Sequence, residues 1–140
     1  MRALRTEKRA DVVVLIVDDA SGCGLATRVA AGAVVHHSCA ALSYSLVHEV
    51  GHIIRARHDL GLDKNLSPFP YGHGYVHGTK WRDIMSHKAS CGGCPRLPFF
   101  SNPTNKVRGE PSGAIHMDNA RVVLEQAHGS RSSGRPLVVT

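Results

Sequence analysis

The stretch His48-Glu49-Val50-Gly51-His52-Ile53-Ile54-Arg55-Ala56-Arg57-His58-Asp59 gathers metal-ligating and proton-transferring groups within twelve positions. In a helix turning about 100° per residue, His48 and His52 fall one turn apart on the same face. Glu49 lies about 60° from His52 on the same side. Two imidazoles and one carboxylate therefore converge on one point. Hydrolytic zinc needs that set: neutral nitrogen ligands, and a nearby carboxylate that is no ligand but takes a proton from the activated water. His58 can return as the third ligand only if the helix stops soon after His52 and the chain reverses. Three protein ligands would leave a fourth position open, as catalytic zinc requires.

A chain with ten histidines in 140 residues can produce such a string by accident. At this composition a His-Glu-x-x-His pattern arises in roughly two chains per hundred, and a histidine at the fixed offset of His58 lowers that about fourteenfold. The opposing reading, surface histidines beside a solvated glutamate, fits poorly with the apolar period in which these residues are set.

The elements that must position them follow from patterning. Asp11 to Asp18 reads as a buried strand, Ser21 to Gly24 as a turn, and Gly32 to Ser38 as a second extended stretch. From about Ala40 to Ile54 the pattern is helical, with Leu46, Val50, Ile53 and Ile54 at three- and four-residue intervals and Ser38 as the expected N-cap. Leu60 to Lys80 is rich in Gly, Pro and Asn and reads as a long irregular connection. The chain is expected to stay irregular after Pro98, through Ser101, Asn102, Pro103 and Pro111. It then turns helical from Met117 to Ala127, with Gly129 ending that helix. No internal repeat is present. The organisation expected is a basic lead over 1–10, one domain over 11–128 (upper part 11–54, lower part 55–128) and a flexible tail over 129–140.

Composition excludes several classes. With 42% hydrophobic, 20% charged and 5% aromatic residues, the chain has the balance of one globular domain rather than a fibrous or mainly disordered protein. Its longest aliphatic run, Val12 to Val17, is too short for a membrane span. That run follows basic residues, yet Asp11 precedes it and no small-residue cleavage site follows, so it is not read as a signal peptide. The formal net charge of +6 raises nucleic acid or an acidic polypeptide as partners. Much of the excess lies at the two ends, however, and the interior basic residues are spread singly without aromatic interleaving, so no nucleic acid and no membrane partner is expected.

The His48–Asp59 stretch resembles the metzincin zinc peptidases, whose pattern is His-Glu-x-x-His-x-x-Gly-x-x-His followed by a methionine-containing turn. Asp59, directly after the third histidine, is similar to the adamalysin (reprolysin-like) branch. Trp81-Arg82-Asp83-Ile84-Met85-Ser86 resembles the methionine turn. Cys91-Gly92-Gly93-Cys94-Pro95-Arg96, Phe99-Phe100-Ser101-Asn102-Pro103 and Asp118-Asn119-Ala120-Arg121 are similar to bacterial reprolysin-like enzymes called peptidyl-Asp metallopeptidases. The similarity runs from about Asp11 to His128.

That resemblance implies an α/β (α+β) metzincin-like zincin: a small mixed sheet with an active-site helix, then an irregular C-terminal subdomain holding the Met-turn and a C-terminal helix. It makes His48, His52 and His58 the ligands of one catalytic Zn2+, Glu49 the general base and then acid, and Met85 an apolar floor beneath the metal; the plain alternative for Met85 is core packing. Gly24-Leu25-Ala26-Thr27 would be an edge strand pairing with an extended polypeptide substrate, or else a simple turn-to-strand transition. The resemblance also implies a preference for Asp beside the scissile bond and a secreted or extracytoplasmic setting.

Three departures from the pattern carry expectations of their own. Arg55 stands at the pattern's glycine, where a positive φ is expected, at a cost of about 1 to 2 kcal/mol for a non-glycine residue. His87 stands two residues after Met85, where several metzincins carry a tyrosine; it could steady an oxyanion, add a ligand or do neither. The family's early strand, long helix and second strand should precede Asp11, and only ten residues do, so the chain reads as truncated with a thin sheet.

Other groups are weaker. His73 and His77 have ligand-like spacing, but the neighbouring Gly72, Gly74 and Gly78 argue against a helix and leave a loop or second-metal role. His36 and His37 would point to opposite faces of a strand. Four cysteines allow three pairings, and proximity favours Cys23 with Cys39 and Cys91 with Cys94. Cys91-x-x-Cys94 could instead be redox-active or half a zinc site, although no second Cys-x-x-Cys exists. The sequence thus reads as a zinc-dependent metalloendopeptidase. An impaired zinc-binding fragment of a metzincin and a basic binding module are the alternatives, and the oligomeric state is not readable.

Overall fold

A computed structural model describes residues 1–19 and 21–132, with side chains described as far as residue 128. It is a mixed α/β chain that separates into two units, Met1–Ile54 with the chain from Glu125 onward, and Arg55–Leu124.

The first unit opens with a helix, α1 (Arg2–Lys8), where a basic lead was expected. β1 (Val13–Val17) pairs in parallel with β3 (Gly32–His36), and β2 (Gly24–Thr27) pairs antiparallel with β3, giving the order β1-β3-β2. Only the central strand is truly buried, with Ala33 and Val35 fully covered. The expectation of a buried β1 is overturned: Leu15 and Ile16 are 52% and 49% exposed. A β-branched run marks extended backbone, but it does not say whether both faces are covered.

The predicted helix from Ala40 to Ile54 is two helices, α2 (His37–Ala40) and α3 (Ser45–Ile53). Ser38 lies inside α2 rather than capping the long helix, and the residue preceding α3 is Tyr44, in the left-handed region at φ 55°. His36 itself caps α2, its Nδ1 accepting from Ser38 N at 3.3 Å, while its Nε2 donates to Asp18 O at 3.1 Å. His36 and His37 do not point to opposite faces: the strand ends between them and their rings stack at 4.7 Å. A disulfide joins Cys23, just before β2, to Cys39 in α2, and α3 packs on β2 and β3.

The second unit is built from short ladders: β4 (Arg57–Asp59) parallel to β5 (His73–Gly74), β6 (Val76–His77) antiparallel to β7 (Trp81–Arg82), and a hairpin of β8 (Asn102–Val107) and β9 (Glu110–Ser112). The hairpin occupies a stretch expected to be irregular. Its turn places Arg108 and Gly109 at φ 54° and 81°, a pair of positive values that matches the twist of two-residue hairpins. The core here mixes Trp81, Ile84, Met85 and Val122 with buried Asp83, Ser86, Ser101 and Asn119. The second disulfide, Cys91–Cys94, closes a short 3-10 helix (Lys88–Cys91). Helix α4 (Asn119–Ser132) starts with Asp118 Oδ1 accepting from Arg121 N at 3.1 Å and continues past Gly129, which does not end it. The expected tail over 129–140 is therefore helical as far as Ser132, and its remainder, 133–140, lies outside the described residues. Among the described residues no helix is long and apolar enough to cross a membrane.

Candidate metal centre

Helix α3 carries His48 and Glu49, both buried, on the turn before His52. The His48 and His52 rings meet edge to face with centroids 4.6 Å apart and Nε2 atoms 3.1 Å apart. The helix stops at Ile53; Ile54 follows as its C-cap, with its backbone N–H directed at Val50 O and His52 O. Arg55 then takes φ 78°, in the left-handed region, so the chain leaves the helix at the residue where a reversal was needed. Within this continuous segment His48, His52 and His58 each offer a ring nitrogen, and the three nitrogens lie within 4.8 Å of one another.

The donor set suits a metal ion. Nitrogens bound tetrahedrally at 2.0–2.1 Å stand about 3.3 Å apart, close to the 3.1 Å between His48 and His52. Burial, with the neighbouring His87, pushes the His58 imidazole below its usual pKa, and Asp59 and Asp63 offset this only in part. The shift favours the neutral ring, the form in which histidine ligates.

Glu49 owes its position to a glycine. A β-carbon on Gly24 would stand 2.7 Å from both Cγ and Oε1 of Glu49, so the carboxylate packs on the bare backbone at the start of β2. That strand is one of the two outer strands of its sheet, with Leu25 76% exposed. Gly24, Leu25 and Ala26 thus lie on an edge strand, with Gly24 against Glu49.

Around His58 the second unit supplies fixed supports. Asp59 is buried; its Oδ2 accepts from His87 N at 2.9 Å and its Oδ1 from Gly61 N at 3.1 Å. Met85 is fully buried. Two residues before it, Asp83 Oδ1 accepts from Ser86 N at 2.9 Å and Ser86 Oγ at 2.6 Å, and Oδ2 accepts from Ser101 N at 2.9 Å. Burial nonetheless raises the Asp83 carboxyl to about 6, those hydrogen bonds pulling the other way. Sequence reading gave Asp83 no role, although the Asp-x-x-Ser spacing signals a side-chain-closed turn.

Several candidates are not brought to the metal group. The His87 ring centroid is 6.3 Å from that of His58, and its Nδ1 accepts from Ala89 N to cap the 3-10 helix, so it is no member of the three-nitrogen set. His73 and His77 part company: His73 is buried on β5, while His77 stacks on Trp81 at 4.9 Å. Among the described residues no second metal group includes them. Cys91 and Cys94 are paired with each other, which removes the half-site reading.

No protein-family model matches this sequence, and no solved structure does. Curated relatives do, among them three that are each called a peptidyl-Asp metalloendopeptidase. The one from Xanthomonas campestris pv. campestris is 45% identical over 126 residues, covering 86% of this chain and 30% of the relative. One from Stenotrophomonas maltophilia is 43% identical over 130 residues, covering 86% and 31%. A third, from Pseudomonas fragi, is 42% identical over 88 residues, covering 61% and 56%. The chain therefore spans about a third of the length of the first two relatives it matches.

Proposed function

We propose that this chain carries the catalytic machinery of a zinc-dependent metalloendopeptidase of the metzincin type, in its adamalysin-like branch. The observation that carries the reading is the convergence of the His48, His52 and His58 nitrogens within 4.8 Å, with Glu49 buried on the same helix. The relatives' shared name supports a peptidase with a preference for Asp beside the scissile bond. Two disulfides support an oxidising, extracytoplasmic setting.

In this reading His48, His52 and His58 hold zinc, which when bound supplies Lewis-acid polarisation of the scissile carbonyl and activation of water. The protein's own groups do the rest. Glu49 accepts the proton of the attacking water and returns it to the leaving amine, so the carboxylate ends as it began. The outer edge of β2, from Gly24 to Ala26, pairs with the main chain of an extended polypeptide and sets its register. Met85 fills the floor of the site as an apolar support. His87, outside the ligand set, is the candidate to donate to the developing oxyanion.

A second reading, a zinc-binding chain with impaired catalysis, is favoured by the non-glycine residue at φ 78° between the second and third histidines. Metal analysis together with chelator-sensitive cleavage of Asp-containing peptides separates the two. Glu49→Gln is expected to keep stoichiometric zinc and to lose about 10²-fold or more in cleavage. Unchanged cleavage removes Glu49 from the mechanism, and stoichiometric zinc without any cleavage selects the second reading.

A further inference from the structure

The strand that carries His58 is held at an irregular point of a short ladder. β4 and β5 pair through Arg57↔His73 and Asp59↔Gly74, and the register shifts between these pairs, at His58. There a side chain reaches the His58 backbone: His73 Nδ1 lies 3.0 Å from the His58 carbonyl oxygen. A carbonyl can only accept, so Nδ1 carries the proton it donates. The ring is fully buried, and Nε2 has no hydrogen-bond partner.

A buried polar nitrogen without a partner destabilises a fold, and an apolar side chain of similar size would avoid it. What the imidazole offers and an apolar group does not is the N–H on the His58 carbonyl. The flanking peptides are fixed as well. Asn119 Oδ1 accepts from Arg57 N at 3.3 Å and its Nδ2 donates to Arg57 O at 3.0 Å. On the far side Asp59 is tied to His87 N. His73 fixes the one residue between them.

We propose that His73 is a positioning residue: its Nδ1–H clamps the His58 backbone so that the His58 ring is presented to a metal in ligating position. The inference rests on the metal reading of His48, His52 and His58, and it replaces the second-metal role that the His73/His77 spacing suggested.

The test compares His73→Leu, His73→Asn and His73→Gln with the wild-type chain. For each, the zinc dissociation constant is measured by competition with a chromophoric chelator, and the unfolding midpoint is measured without metal. The Asn amide nitrogen occupies the place of Nδ1, whereas that of Gln reaches the place of Nε2. His73→Asn is therefore expected to bind zinc close to wild type, while His73→Leu and His73→Gln bind about 10- to 100-fold more weakly, the usual loss for an outer-sphere support. Wild-type affinity in His73→Leu, or rescue by Gln and not by Asn, overturns the inference. So does a lowered metal-free midpoint with unchanged affinity, the signature of a merely structural residue. Should His73→Leu fail to fold, the Asn/Gln pair decides alone. A wild-type chain that takes up no stoichiometric zinc overturns the functional reading and this inference together. Tight zinc binding that is equal in all variants overturns only the role of His73.

Discussion

Arg55→Gly is expected to stabilise the chain. Arg55 is exposed and sits at φ 78°, directly after the C-cap of α3. An L-residue in the left-handed region is disfavoured by about 1 to 2 kcal/mol, because its β-carbon crowds the following carbonyl. Glycine removes that crowding but returns about 0.4 to 1 kcal/mol to the unfolded chain as entropy. The net gain is about 0.5 to 1 kcal/mol, which for a chain of this length is a rise of about 2 to 4 °C in unfolding midpoint. Arg55→Ala is the control: it removes the guanidinium and keeps the β-carbon, so it should stay near wild type. Thermal unfolding followed by circular dichroism, with chelator present so that metal linkage does not contribute, measures both. Equal midpoints for the Gly and Ala variants, or a lower midpoint for Gly, would refute the assignment of strain to this residue.

Two further outcomes are expected. In Gly24→Ala the new methyl would stand 2.7 Å from Glu49 Oε1, so the carboxylate must move, at an overpacking cost of about 1 to 3 kcal/mol; peptide cleavage should fall while zinc content holds, and undiminished cleavage would show that Glu49 does not need this seat. Asp83 sets a pH dependence, because its folded carboxyl titrates at about 6 against an ordinary 3.8. The folded state favours the protonated form, so this contribution is complete below pH 4, is lost between pH 4 and 6, and is constant above; the gap corresponds to about 3 kcal/mol. Denaturant unfolding of wild type and Asp83→Asn across that range should show the wild type losing stability relative to the variant as pH rises, and parallel curves would refute the burial argument.

The candidate metal-binding segment was largely legible because its information is local. Helical period, the spacing of His48 and His52 and the adjacent Glu49 are all read within one turn. The single-residue departure at Arg55 announced the positive φ that the chain adopts there. Both disulfides follow sequence proximity. Where expectation failed, the missing information was positional. The aliphatic Val12–Val17 run signalled a strand, but whether its faces are covered depends on neighbours that periodicity does not encode. Apolar residues at helical spacing did not reveal that Ala41 to Tyr44 interrupts the helix, since the left-handed φ at Tyr44 carries no sequence mark as a glycine would.

The sequence by itself determined which groups can ligate, which can move a proton and where the helix bearing them must end, because those are properties of side-chain type and of spacing within a few residues. Only the tertiary structure decided what holds them. The Gly24 backbone beneath Glu49, the His73 ring on the His58 carbonyl and the Asn119 amide on Arg57 join residues separated by 25, 15 and 62 positions. Such contacts depend on how chain segments return to one another, and no local pattern of residue types specifies that return.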